Sequence, residues 1–237
     1  QGGLFPDLRR KSAAEMAKFD FSVHPIGGIV PVMEQQRYRE YAKIMMSTLP
    51  FLPSNRPVHM FGCGHPMLFP MSIALGADLF DSAAYALFAR DGRILSPWGT
   101  EKLEGLIEWP VMMPCISGVT PESVRKMPKV ERMKLLSKYN LEITLAELAR
   151  CRQAVRDGTI WRLVEQRSHQ HPALRDAFLW LSTNPATASF TKFLGSEMPL
   201  DETTASKDYS SMGSFEDSWQ WVVNSQLTPR KGGEQWG

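Results

Sequence analysis

Residues 56–100 read RPVHMFGCGHPMLFPMSIALGADLFDSAAYALFARDGRILSPWGT. The order is strand, glycine turn, helix, second strand, acid. Val58, Met60 and Phe61 make a short apolar run, and Gly62 and Gly64 close it. Pro66 suits the first turn of a helix, where a missing N–H has no partner to lose. Residues 67–75 supply an apolar helix body, and Gly76 is placed to stop it in the left-handed conformation. Residues 77–80 form the next strand, with Asp81 at its carboxyl end. Strand and helix alternate here without a hairpin signal, which predicts parallel βαβ units. In an α/β barrel, the carboxyl ends of the strands carry the chemistry. Asp78 lies three residues before Asp81, so it has the opposite parity and reads as structural.

Upstream, residues 7–19 predict a helix with Leu8, Ala13, Met16 and Ala17 on one face. Residues 21–25 form a short strand that ends in the Gly27, Gly28 turn. Residues 34–49 predict one helix, with Tyr38, Tyr41, Ile44, Met45 and Leu49 on one side and Pro50 ending it. Downstream, residues 103–109 are short and mixed. Thr120 reads as an N-cap before Pro121, and two or three helices follow up to Asp157 and Gly158. There Leu141, Leu145, Leu148, Cys151 and Val155 recur at helical spacing and predict a buried face. His171 and Pro172 open another helix, with Leu174, Phe178 and Leu181 on its face. Residues 183–217 read as loop, and residues 218–227 as a last short helix.

Composition is that of a globular protein: 237 residues, 43% hydrophobic and 22% charged. The balance of 27 basic and 25 acidic residues excludes a polycation, so any nucleic-acid contact needs a local patch. Three cysteines, Cys63, Cys115 and Cys151, are too few for a disulfide framework and fit a reducing, cytoplasmic setting. No apolar run is long enough for a membrane span, and no signal peptide is expected. The chain begins at Gln1 and reads as a fragment, or as the second part of a split enzyme.

An ordered set of motifs carries a family resemblance. It comprises Phe61-Gly62-x-Gly64-His65-Pro66, then Leu75-Gly76-x-Asp78-Leu79-Phe80-Asp81-Ser82-Ala83-Ala84-Tyr85, then Ala89-Arg90-Asp91-Gly92-Arg93. Gln1-Gly2-Gly3 with Asp7-Leu8-Arg9, and Ile26-Gly27-Gly28 with Pro31, extend it upstream; Thr120-Pro121-Glu122 and later helices extend it to about residue 182. The set resembles the tRNA-guanine transglycosylase family, and most closely its archaeal, archaeosine-forming branch. The resemblance implies an α/β fold: the last strands of a (β/α)8 TIM barrel over residues 1–105, then a helical appendage over 106–182 and a loop-rich tail over 183–237. Only about three and a half parallel units are present, and a barrel needs about eight strands. The first strands, and the second acid that the family uses on the exchanging base, are therefore expected from a missing N-terminal barrel half or a second subunit.

The resemblance implies base exchange in tRNA, with guanine replaced by a 7-deazaguanine such as 7-cyano-7-deazaguanine (preQ0). Asp81 falls on the family's nucleophile. Such chemistry parallels retaining glycoside hydrolysis, in which a carboxylate attacks C1′ as the base leaves. On spacing alone, Asp81 reads first as a cap or an arginine partner. Gln1 matches a glutamine that hydrogen-bonds the base, and a carboxamide both donates and accepts. Gly28 and Ile29 match a glycine turn whose backbone meets the base, and Phe61 lines the base pocket. Read without the family, these are a plain turn and a core residue. Arg90 and Arg93 match a neighbourhood that contacts tRNA, where positive charge suits phosphates; otherwise they belong to a solvated loop. Lys126, Lys129, Arg132, Lys134 and Lys138 make a basic run that reads first as a solvated face.

The family also carries a structural zinc, held by three cysteines and a histidine. Aligned on Pro110 and Pro114, these ligands become Val111, Met113, Ile116 and Tyr139, with Cys115 one residue off. All four are lost together, so no metal and no cofactor are expected. Two other readings remain. One is an archaeosine-synthase-like enzyme acting on the inserted base. The other is a non-catalytic, tRNA-binding partner subunit.

Overall fold

The computed structural model describes residues 2–187 and Phe190. They divide into two compact units. One contains residues 2–63, 70–81 and those from 151 on; the other contains residues 64–69 and 82–150. Residues 185–187 are helical where a loop was expected, and the expectations for Gln1 and for residues 188, 189 and 191–237 lie outside the described residues.

The first unit holds three parallel strands, β1 (His24–Ile26), β2 (Val58–Met60) and β3 (Leu79–Phe80), in that order across the sheet. Pro25, His59 and Leu79 form one row; Ile26, Met60 and Phe80 form the next. Parity sorts the two faces. His24, Ile26, Val58 and Met60 are buried, whereas Pro25 is exposed and His59 and Leu79 are half-buried. The helices of this unit begin with α1 (Pro6–Met16), α2 (Val30–Glu34) and α3 (Tyr38–Thr48). The single helix expected over residues 34–49 is thus two. Gln36 takes a left-handed φ of 56° between them, and the Arg37 N–H reaches back to the Val32 carbonyl at 2.9 Å. That is a glycine-type helix ending built without glycine, so no residue marks it in the sequence. The apolar spacing of α3 holds, and Tyr38, Tyr41, Ile44 and Met45 are all buried.

A 3₁₀ turn at Pro66–Leu68 leads into α4 (Phe69–Ala74). Gly76 ends α4 with φ 105°, and the Ala77 N–H donates to the Ser72 carbonyl at 2.9 Å, the left-handed cap that its position implied. The following strand is shorter than residues 77–80. Asp78 instead accepts a 2.7 Å hydrogen bond from the Val58 N–H and returns its own N–H to the Val58 carbonyl at 3.0 Å. It is buried, the structural role that its parity predicted.

The longer segment of the second unit, residues 82–150, opens with α5 (Ala84–Arg90) and an antiparallel hairpin, β4 (Arg93–Ser96) and β5 (Gly99–Lys102). The hairpin replaces the purely parallel pattern expected through this stretch. Thr120 caps α6 (Pro121–Arg125) in a reciprocal box with Ser123, as its position before Pro121 predicted. The core joins Ile94, Leu95, Leu103, Ile116, Val124, Leu136, Tyr139 and Ile143. Asn140 is fully buried there. It accepts from the Leu95 N–H at 2.7 Å and donates to the Tyr85 and Arg93 carbonyls at 3.0 and 3.2 Å.

The long helix α7 (Lys129–Arg156) corrects one expectation. Leu141 and Leu145 are 40% and 54% exposed, while Leu136, Tyr139, Asn140, Ile143 and Glu147 are buried. The helix carries two apolar stripes. The buried stripe includes polar-tipped residues whose hydrogen bonds are made inside, so counting leucines follows the wrong one. Cys151 and Val155 are buried as predicted. A helix not anticipated, α8 (Ile160–Ser168), precedes α9 (Pro172–Thr183), whose Leu174, Phe178 and Leu181 face inward as expected. Among the described residues, no helix is long and apolar enough to cross a membrane.

Candidate active site

Because β1, β2 and β3 run parallel, their carboxyl ends meet along one edge. Gly27, Gly28, Ile29 and Val30 follow β1; Phe61 and Gly62 follow β2; Asp81 follows β3. The Phe61 N–H donates to the Ile26 carbonyl at 3.1 Å and ties the first two ends together. The third is tied by Asp81, whose Oδ1 accepts from the Gly62 N–H at 2.7 Å. Gly62 has φ 78°, and a Cβ there would lie 2.7 Å from Val30 Cγ2. Glycine thus lets the β2 end close onto the β1 end while its N–H points at the carboxylate.

The Asp81 side chain is half exposed. Its Oδ1 also lies 2.9 Å from His59 Nε2, a residue that the motifs did not single out. His59 precedes Phe61 by two residues, so the two share a face, and their rings meet edge to face at 5.8 Å. That parity was the available signal. Phe61 is exposed. Gly28 is exposed with φ 69°, whereas the Ile29 side chain is fully buried. Ile29 therefore offers the site its backbone only.

Two buried polar groups support this edge from behind. Tyr41 Oη lies 2.7 Å from Ser72 Oγ and 3.4 Å from Cys63 Sγ. Burial pushes the Cys63 thiol up to about 11 and the Tyr41 hydroxyl well above its usual range, so both stay protonated. A protonated thiol is no nucleophile, so Cys63 serves packing. Arg9 is buried on α1, and its Nε and Nη1 donate to the Gly3 and Gly27 carbonyls at 2.8 and 2.9 Å. It joins the amino-terminal segment to the glycine turn. Arg10 and Lys11 follow Arg9, and nothing local sets it apart from them, so this role was not visible in the sequence.

In the second unit, Arg93 stacks its guanidinium over the Phe88 ring at 4.2 Å and pairs with Asp91 at 3.5 Å. Arg90 is exposed and lies 3.8 Å from the same carboxylate. Gly64 meets Ser82 so closely that a Cβ on Gly64 would lie 1.7 Å from the Ser82 Cβ.

The four positions aligned with zinc ligands do come together in this unit. Ile116 and Tyr139 belong to its core, and Val111 and Met113 pack against it. Tyr139 donates its hydroxyl to the Val111 carbonyl at 3.0 Å and lies against the Trp109 ring at 5.2 Å. None of the four offers a thiolate or imidazole, and tetrahedral zinc needs four such ligands. Burial and the neighbouring Glu142 push the Cys115 thiol up to about 12, which disfavours the thiolate a metal would need. The residues present do not fit zinc; apolar volume fills the place.

A family model described as TGT, queuine tRNA-ribosyltransferase, matches residues 1–173. The chain belongs to this family. Among its relatives, the tRNA-guanine(15) transglycosylase of Methanocaldococcus jannaschii is 50% identical over 181 residues, 75% of this chain and 28% of that protein. That of Thermococcus kodakarensis is 46% identical over 230 residues, 97% of this chain and 38% of that protein. That of Pyrococcus abyssi is 47% identical over 178 residues, 75% of this chain and 30% of that protein. These archaeal relatives agree with the branch that the motifs indicated. The chain spans about a third of the length of the transglycosylases it matches.

Proposed function

We propose that this chain supplies the carboxyl-side part of a transglycosylase barrel and that Asp81 is the nucleophile of base exchange in tRNA. The observation that carries the reading is the Asp81 carboxylate: half exposed, at the carboxyl end of a parallel strand, with the end of the neighbouring strand β2 beside it. In this reading an Asp81 oxygen bonds to ribose C1′ while the C1′–N9 bond to guanine breaks and its electron pair leaves with the base. N9 of an incoming 7-deazaguanine then attacks C1′, the ester bond breaks, and the carboxylate is restored. Two displacements retain configuration at C1′. The departing guanine takes up one proton and the incoming base gives one up, a task for the acid expected elsewhere in the protein.

The relatives' names point to guanine 15 as the target. The backbone of Gly28 and Ile29, the ring of Phe61 and the carboxamide of Gln1 are assigned to the base pocket. Arg90 and Arg93 are assigned to the RNA. The half-open sheet face bearing Pro25, His59 and Leu79 supports a partial barrel, since a closed barrel would cover it with the missing strands. The test is exchange of labelled guanine by the full-length protein, together with denaturing gels that retain a covalent protein–RNA adduct. Asp81→Asn is expected to bind tRNA while forming no adduct and exchanging no guanine. An adduct formed by Asp81→Asn would move the nucleophile elsewhere.

A further inference from the structure

We infer that His59 is a positioning residue that decides which Asp81 oxygen attacks. The inference rests on Asp81 being the nucleophile. Two groups converge on one carboxylate oxygen: the Gly62 N–H donates to Oδ1 at 2.7 Å, and His59 Nε2 stands at ion-pair distance, 2.9 Å, from the same atom. Oδ2 accepts no hydrogen bond among the described residues. Both groups stand at positions 59 and 62 around the end of β2, so they act as one bracket on the acid that ends β3.

The bracket answers a physical need. A half-exposed aspartate rotates about two side-chain bonds, and each wrong rotamer takes the attacking oxygen off line. One hydrogen bond and one ion-pair contact at a strand end hold Oδ1 and leave Oδ2 without a partner among the described residues. The His59 side chain is only 22% exposed, and its ring is held against Phe61. Its row-mates in the sheet are Pro25 and Leu79, neither of which competes for its nitrogens. Nε2 carries a hydrogen in the imidazolium and in one neutral tautomer, and in either form a polar N–H lies within ion-pair reach of Oδ1.

The same bracket serves both displacements. While Oδ2 is esterified to C1′, Oδ1 is the carbonyl oxygen and keeps both neighbours. When the incoming base breaks the C1′–Oδ2 bond, negative charge returns to the carboxylate and spreads onto Oδ1, where the Gly62 N–H and His59 already stand. Loss of His59 should therefore slow turnover while leaving tRNA binding intact.

The experiment compares His59→Leu, His59→Asn and His59→Gln in the full-length protein, with Asp81→Asn alongside. Hydrogen bonds to charged groups are worth enough to expect a fall of about 10- to 100-fold in kcat for His59→Leu, with the KM for tRNA within about twofold. Gln places an amide nitrogen close to where Nε2 lies and should recover most of the loss. Asn falls short of that place and should not. Equal activity of the Gln and Leu variants, or Leu within about twofold of the parent, overturns the inference. If His59→Leu does not fold, the difference between Gln and Asn decides alone. An adduct in the Asp81→Asn arm would overturn the nucleophile assignment instead, whatever the His59 variants do.

Discussion

The close approach of Gly64 to Ser82 sets up a demanding test of the geometry next to Asp81. Adding a methyl group at Gly64 would place its carbon 1.7 Å from Ser82 Cβ, 2.0 Å from Ser82 Oγ and 3.0 Å from Ser82 Cα. Non-bonded carbons rest at roughly 3.5–4.0 Å, so Gly64→Ala requires about 2 Å of separation between two backbone segments. No rotamer relieves it, because the first collision is with a Cβ. Overpacking of this kind costs about 1–3 kcal/mol, and a clash borne by main chain belongs at the top of that range. Ser82→Gly removes both of the nearest atoms and leaves only the main chain of residue 82 nearby, where a small shift would relieve the crowding. That change also deletes the 2.9 Å hydrogen bond that Ser82 Oγ accepts from the Ala84 N–H at the start of α5, a loss of about 1 kcal/mol at most. The double variant should therefore be more stable than Gly64→Ala alone, with a coupling of about 1–2 kcal/mol in the double-mutant cycle. Urea unfolding of the four proteins measures it. Gly64→Ala within about 0.5 kcal/mol of the parent, or strict additivity with Ser82→Gly, would refute the close approach.

Two further outcomes follow from the structure. His171 caps α9 by accepting the Ala173 N–H on Nδ1 at 3.2 Å, and burial lowers its pKa. A histidine whose folded pKa is depressed contributes stability that is present above its unfolded pKa of about 6.5 and is lost as pH falls through the folded value. Melting curves should show about 1 kcal/mol lost on acidification across that window. His171→Asn keeps a capping acceptor that does not titrate there, and should flatten the dependence; an unchanged slope would contradict the cap. The apolar filling around Val111, Met113, Ile116 and Tyr139 predicts that a strong chelator leaves the melting temperature unchanged, and that elemental analysis finds no stoichiometric zinc.

Much of this fold is written in local signals. Thr120 before Pro121, Gly76 after an apolar run and His171 before Pro172 each mark a helix boundary by a chemical necessity of the helix end. Asp81 at a strand terminus follows from the alternation around it. What escaped reading depends on partners distant in sequence, or on conformations with no marker. The break at Gln36 uses a left-handed residue that is not glycine. The Arg93–Ser96 and Gly99–Lys102 strands are four residues each, too short for alternation to stand out beside Pro97. The buried face of α7 hides behind Asn140 and Glu147, which hydropathy scores as surface. Arg9 gains meaning only when Gly3 and Gly27 fold against it. The family resemblance placed the acid, but only coordinates show which of its two oxygens is occupied.

Asp78 has a consequence for that acid. Strand β3 is only two residues long, so its own ladder is a weak lock against sliding along β2. A slip of one step would exchange inside for outside and turn the Asp81 side chain to the opposite face of the sheet. By gripping both the N–H and the carbonyl of Val58, Asp78 bolts the foot of the strand and forbids that slip. One carboxylate, spent in the interior, thus keeps its neighbour three residues on turned to the face where Gly62 and His59 meet it.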